Sequence, residues 1–68
     1  VIEHDVRIGN HCHVSTNAVI NGAVQVGDGC FIGSASALKE GIKVGEGALI
    51  AMGVTVRRDI SAGRRYMG

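Results

Sequence analysis

The sequence contains no proline and no tryptophan, one phenylalanine, one tyrosine and two cysteines in 68 residues. Two aromatics cannot fill a conventional globular core, and so short a chain buries little apolar surface in an ordinary fold. Either copies of the chain pair, or the architecture works with small side chains. Cys12 and Cys30 are too few for a disulfide framework and do not by themselves make a zinc site. An excess of charge is also missing. Seven Lys and Arg stand against six Asp and Glu, a net charge of +1, which excludes a nucleic-acid module driven by bulk charge. No apolar run approaches the roughly 18 residues that span a bilayer, so no membrane partner is expected. No basic-then-apolar leader opens the chain, and a cytoplasmic location is the default expectation. What the chain does have is 46% hydrophobic residues with 19% charged, too apolar for a disordered tail. It also has 11 glycines.

Every sixth residue from Ile2 is aliphatic: Ile2, Ile8, Val14, Ile20, Val26, Ile32, Leu38, Val44, Ile50 and Val56. Ile, Leu and Val fill 18 of 68 positions. Chance would produce such a run roughly once in 10⁵, so the period is real. Four positions past each aliphatic residue lie Val6, Cys12, Ala18, Val24, Cys30, Ser36, Ile42, Ala48, Val54 and Ile60, all small or aliphatic. Glycine follows the aliphatic residue at Gly9, Gly27, Gly33 and Gly45. Each hexad reads as a short strand with one inward aliphatic side chain, then a tight bend where glycine relieves steric conflict. Helices repeat near 3.6 and ordinary strands at 2, so neither fits. A solenoid of stacked parallel strands does.

A longer period sits on top of the first. Val6, Val24, Ile42 and Ile60 are spaced by 18 and are all β-branched. Three hexads therefore make one turn of a three-sided coil, and residues 18 apart stack at about 4.8 Å. The residue before each inward aliphatic points outward. One face carries Arg7, Gln25, Lys43 and Ser61; a second carries His13, Phe31 and Leu49; a third carries Val1, Val19, Ala37 and Thr55. Two faces are largely apolar, and three copies about a threefold axis would cover them, so a homotrimer is expected. Scattered surface apolar residues on a monomer are the alternative. The register holds from Ile2 to Ser61 with no inserted loop. Residues 1–61 are thus read as one β-helix domain. The basic, irregular stretch 62–68 is read as a C-terminal cap or tail over the open strand edges, in preference to a functional basic patch.

Runs such as Ile8-Gly9-Asn10-His11-Cys12 and Val26-Gly27-Asp28-Gly29-Cys30-Phe31-Ile32-Gly33 resemble the hexapeptide-repeat acyltransferases. That resemblance implies an all-β, left-handed parallel β-helix of about three triangular coils, assembled as a trimer. Val1-Ile2-Glu3-His4-Asp5, Ile8-Gly9-Asn10, His13-Val14-Ser15 and Val54-Thr55-Val56-Arg57-Arg58-Asp59-Ile60-Ser61-Ala62-Gly63 are similar to the sialic acid O-acetyltransferase and UDP-amino-sugar N-acetyltransferase family. It implies an acetyltransferase that uses acetyl-CoA to acetylate an amino or hydroxyl group of a sugar or nucleotide sugar. The N-terminal sugar-nucleotide domain usual in that family is not in this sequence.

Acetyl transfer from a thioester needs a base to take the acceptor's proton as it attacks the carbonyl. Histidine suits this, since its ordinary pKa near 6.5 leaves much of it neutral at pH 7. The resemblance makes His4 the base. Asp5, its acidic neighbour, would fix the tautomer and favour the imidazolium. A solvated turn histidine is the plain alternative. The resemblance places His13 at the acetyl-thioester end of CoA, and the plain alternative is a histidine packed at a subunit interface. Nine residues is half a coil, so a site using both would cross a subunit boundary. His11 lies at a bend and is read as solvent-facing. Ser34 and Met52, spaced by 18, would stack in one outer column along which CoA could lie, and the resemblance makes both acetyl-CoA contacts. Met52 could equally fill a gap at the interface. Cys12 and Cys30 are read as small core residues, with direct transfer and no metal expected.

Two other readings stay open. A trimeric γ-carbonic-anhydrase-like enzyme could use His4, His11 and His13 as zinc ligands, although their spacing does not match that family's. A non-catalytic scaffold needs no chemistry at all.

Overall fold

The computed structural model describes residues 5–67. They form ten two-residue strands: β1 (Arg7–Ile8), β2 (His13–Val14), β3 (Val19–Ile20), β4 (Gln25–Val26), β5 (Phe31–Ile32), β6 (Ala37–Leu38), β7 (Lys43–Val44), β8 (Leu49–Ile50), β9 (Thr55–Val56) and β10 (Arg65–Tyr66). All strand pairs are parallel and fall into three sheets, β1-β4-β7, β2-β5-β8-β10 and β3-β6-β9. Partners up to Val56 are 18 residues apart, as in Arg7↔Gln25, His13↔Phe31 and Val19↔Ala37. The fold is therefore an all-β parallel solenoid of about three turns without helix among the described residues, consistent with the left-handed β-helix expected from the repeat.

In each strand the second residue points inward. Ile20, Ile32, Leu38, Ile50 and Val56 are fully buried. The smaller inward sites follow at Ala18, Val24, Cys30, Ser36, Ile42 and Ala48, all buried. Ser36 is the buried polar residue of this core, and its Oγ–H donates to the Gly33 carbonyl at 2.6 Å. Alternating large and small inward residues fill a narrow tube without aromatic side chains, which is why the chain needs so few of them.

Two kinds of glycine shape the corners. Gly9, Gly27, Gly33 and Gly45 are sites of close approach: a Cβ on Gly27 would lie 2.6 Å from the Glu46 amide nitrogen of the next coil. The left-handed bend falls two residues later. It is occupied by Asp5, His11, Asn17, Ala23, Gly29, Ala35, Gly41, Gly47 and Gly53, all with positive φ. The bend and the steric conflict, read from sequence as one site, are thus separate positions.

The last coil departs from the 18-residue register. Ile60 bridges to Val44, and Arg65–Tyr66 pairs with Leu49–Ile50, each 16 residues apart. Three residues separate Val56 from Ile60, whereas five separate Leu38 from Val44. The spacing that matched Ile60 to Ile42 therefore misplaces it. An aliphatic residue four past Val56 satisfies either a regular small-residue site or the strand site of a shortened corner, and the sequence period does not distinguish them. Asp59, not Ser61, lies beside Lys43 on the first outer face. Its Oδ1 accepts the Lys43 N–H at 2.9 Å. In the earlier coils a backbone carbonyl accepts instead: Val24 from Arg7 at 3.0 Å and Ile42 from Gln25 at 3.0 Å. The stretch expected to be an irregular tail consequently supplies β10 and continues the second sheet.

Asp59 thus closes a ladder position that the two-residue deletion would leave open. Asp59→Ala should cost about 1 kcal/mol, seen as a lower denaturation midpoint together with faster amide exchange at Lys43. Asp59→Asn keeps an acceptor and should retain most of the protection. Unchanged Lys43 exchange in Asp59→Ala would contradict this role.

Candidate functional site

The strand-and-corner plan fixes where each candidate residue sits. His4 lies outside the described residues. Asp5 is exposed at the left-handed position (φ 62) of the corner leading into β1. His13 is the outward residue of β2, exposed, with its ring stacked on that of Phe31 in β5. The ring centroids are 5.1 Å apart and the planes 5° from parallel. Outward residues of adjacent coils face each other in register, so an aromatic pair 18 residues apart stacks by construction.

Ser34 and Met52 occupy the corner that follows the second sheet, one coil apart. The Gly53 N–H donates to the Ser34 carbonyl at 2.9 Å. A Cβ on Gly33 would stand 2.5 Å from the Met52 nitrogen. Both side chains are exposed, Met52 by 75%. His13, Ser34 and Met52 therefore share one side of the protomer: a sheet and the corner at its edge. Asp5 does not join them. Its corner lies between the third and first sheets, the vertex opposite the second sheet.

The largest hollow of the surface, about 560 Å³, lies elsewhere. It runs along the outer side of the first sheet past Arg7, Gln25, Lys43 and Asp59, and none of Asp5, His13, Ser34 or Met52 lines it. A single protomer therefore does not enclose its candidate residues in a cleft.

The two cysteines sit at equivalent inward corners of successive coils. Each thiol lies 3.1 Å from a carbonyl oxygen of the next coil, Cys12 from Gly27 and Cys30 from Gly45. Burial pushes the Cys30 thiol up from its ordinary pKa, and hydrogen bonds from the backbone near Ala48 only partly oppose it. Cys30 is held as the neutral thiol, a poor nucleophile. Among the described residues no group of three His, Cys, Asp or Glu side chains could hold a metal ion. Nor is any helix among them long and apolar enough to cross a membrane.

The sequence reading passed over the end of the coil. Arg57, Arg58, Arg64 and Arg65 are four of the seven basic residues of the chain. Arg58 lies over the Tyr66 ring at 5.9 Å. The signal was present as a local run of arginines, but only the shortened corner and β10 bring its two halves to one place.

A tube of stacked hexads with outward residues in columns defines the class: a hexapeptide-repeat β-solenoid. Residues 23–58, 36 of the 68, match the family model described as the hexapeptide repeat of succinyl-transferase, and the chain belongs to that family. The family includes acyltransferases. No curated protein and no solved structure matches the chain.

Proposed function

We propose that the chain is an acetyl-CoA-dependent acetyltransferase acting on an amino or hydroxyl group of a sugar or nucleotide sugar, with a site completed between subunits of a homotrimer. The observation that carries this reading is the placement of His13, Ser34 and Met52 on one side of a protomer whose acidic candidate, Asp5, stands at the opposite vertex. Threefold assembly would bring the Asp5 vertex of one copy to the His13 side of the next. Membership of the hexapeptide-repeat family supports acyl transfer in general.

In this mechanism His4 takes the proton of the acceptor as its nitrogen or oxygen attacks the thioester carbonyl, and Asp5 favours the resulting imidazolium. The acetyl group passes directly from CoA sulfur to the acceptor, and the thiolate leaves with a proton. His13 contacts the thioester end, and the Ser34–Met52 corner carries the length of CoA. The neutral thiol of Cys30 supports direct transfer over a covalent enzyme intermediate.

The test is thiol release from acetyl-CoA with a panel of amino sugars, together with sedimentation analysis. A trimer is expected, with turnover falling about 10²-fold in His4→Ala. Equal turnover by the two proteins would remove His4 from the mechanism. Ser34→Trp should abolish CoA binding in calorimetry, whereas absence of wild-type binding at millimolar CoA would favour a scaffold.

A further inference from the structure

The charge of the chain is strongly segregated. Residues 57–65 hold four arginines and one acid, Asp59, a net of +3; the remainder holds Arg7, Lys39 and Lys43 against five acids, a net of −2, and the two sum to +1. The basic part folds into the last coil. There a hollow of about 270 Å³ is lined by Arg58, Asp59, Ile60, Ser61, Arg64 and Tyr66, and by no residue of an earlier coil. The hollow follows from the shortened corner. Dropping two residues between Val56 and Ile60 shifts the register by two, so Arg58 and Asp59 come to line the same recess as Arg64 and Tyr66.

From this arrangement we propose that the hollow is a binding site for a phosphate group, recognised by Arg58 and Arg64 with Ser61. Two guanidinium groups converge on one recess, and guanidinium edges match phosphate oxygens through paired N–H donors. Arg58 is steadied by the Tyr66 ring beneath it, which reduces the conformational freedom it must lose on binding. The one carboxylate in the lining already accepts the Lys43 N–H through Oδ1. Arg57 and Arg65 stand outside the lining and raise the local positive potential without shaping the site. The inference rests on the last coil alone and is independent of the acyl-transfer reading.

The experiment titrates the full chain with inorganic diphosphate and, separately, with adenosine 5′-monophosphate, by calorimetry and by amide chemical-shift mapping of the unsubstituted protein. Saturable binding is expected, with the largest shifts at residues 58–66. Arg58→Gln and Arg64→Gln should each weaken it about tenfold or more, and Arg57→Gln much less, since a charged hydrogen-bonded contact is worth more than a distant charge. Arg58→Lys, which keeps charge and loses the fork, should fall between. Tighter binding of the nucleotide would identify an organic phosphate ester as the source, and tighter binding of diphosphate a free phosphate. No saturation at millimolar ligand, shifts spread over the whole surface, or equal losses in Arg57→Gln and Arg58→Gln would each overturn the proposal. Because no acetyl-CoA enters the assay, its outcome is separate from that of the proposed activity.

Discussion

Gly33→Val should unfold the solenoid, or leave it so weakened that its denaturation midpoint collapses. Gly33 is buried where one coil lies on the next. A Cβ there would stand 2.5 Å from the Met52 nitrogen, 2.7 Å from the Ala51 carbonyl carbon and 2.8 Å from the Ile50 carbonyl oxygen. All three are backbone atoms, so no side chain can swing aside. Relief requires the coils to part, which would stretch the Gly33 N–H bond to Ile50 (2.8 Å) and the Gly53 N–H bond to Ser34 (2.9 Å). The combined loss should exceed about 3 kcal/mol, a large share of the roughly 3–10 kcal/mol available to a domain of this length. Gly29→Ala makes the contrast. Nothing lies within 4 Å of a Cβ at Gly29, although its φ is +70. The chain already carries alanine at equivalent bends, Ala23 at φ 61 and Ala35 at φ 57. That substitution should cost about 1 kcal/mol. Equal midpoints for the two variants would refute this division between glycines of close approach and glycines of the bend.

Leu38→Ala should destabilise by about 2–5 kcal/mol. Leu38 is completely buried, at the centre of the third sheet between Ile20 and Val56. The cavity cannot easily collapse, because the coils on either side are tied to this one in register. The Asn21 N–H donates to the Leu38 carbonyl at 3.2 Å, and the Lys39 N–H to Val56 at 2.9 Å. Thr55→Ala, on the outer side of the same sheet and exposed, should stay within about 0.5 kcal/mol. Urea titrations of both variants decide the matter: a shift for Leu38→Ala no larger than for Thr55→Ala would mean that the inward column does not hold the tube together.

The candidate site was only partly readable in advance. That Ser34 and Met52 share a column follows from 18-residue counting, and the hydrogen bond between Gly53 and Ser34 joins those coils. The stacking of His13 on Phe31 follows from the same count. The phosphate-sized hollow does not, since Arg58 and Arg64 meet only after the register has shifted.

The sequence alone determined the tube. A six-residue hydrophobic period admits one periodic winding, and each inward side chain could be named before any coordinate was known. Tertiary structure decided the end of the tube. Ile60 fits two inward positions equally well by spacing, and the choice turned on a long-range bond, Asp59 to the Lys43 amide. Periodicity reports how a side chain repeats along the chain; it carries no information about which distant backbone group a single carboxylate will satisfy.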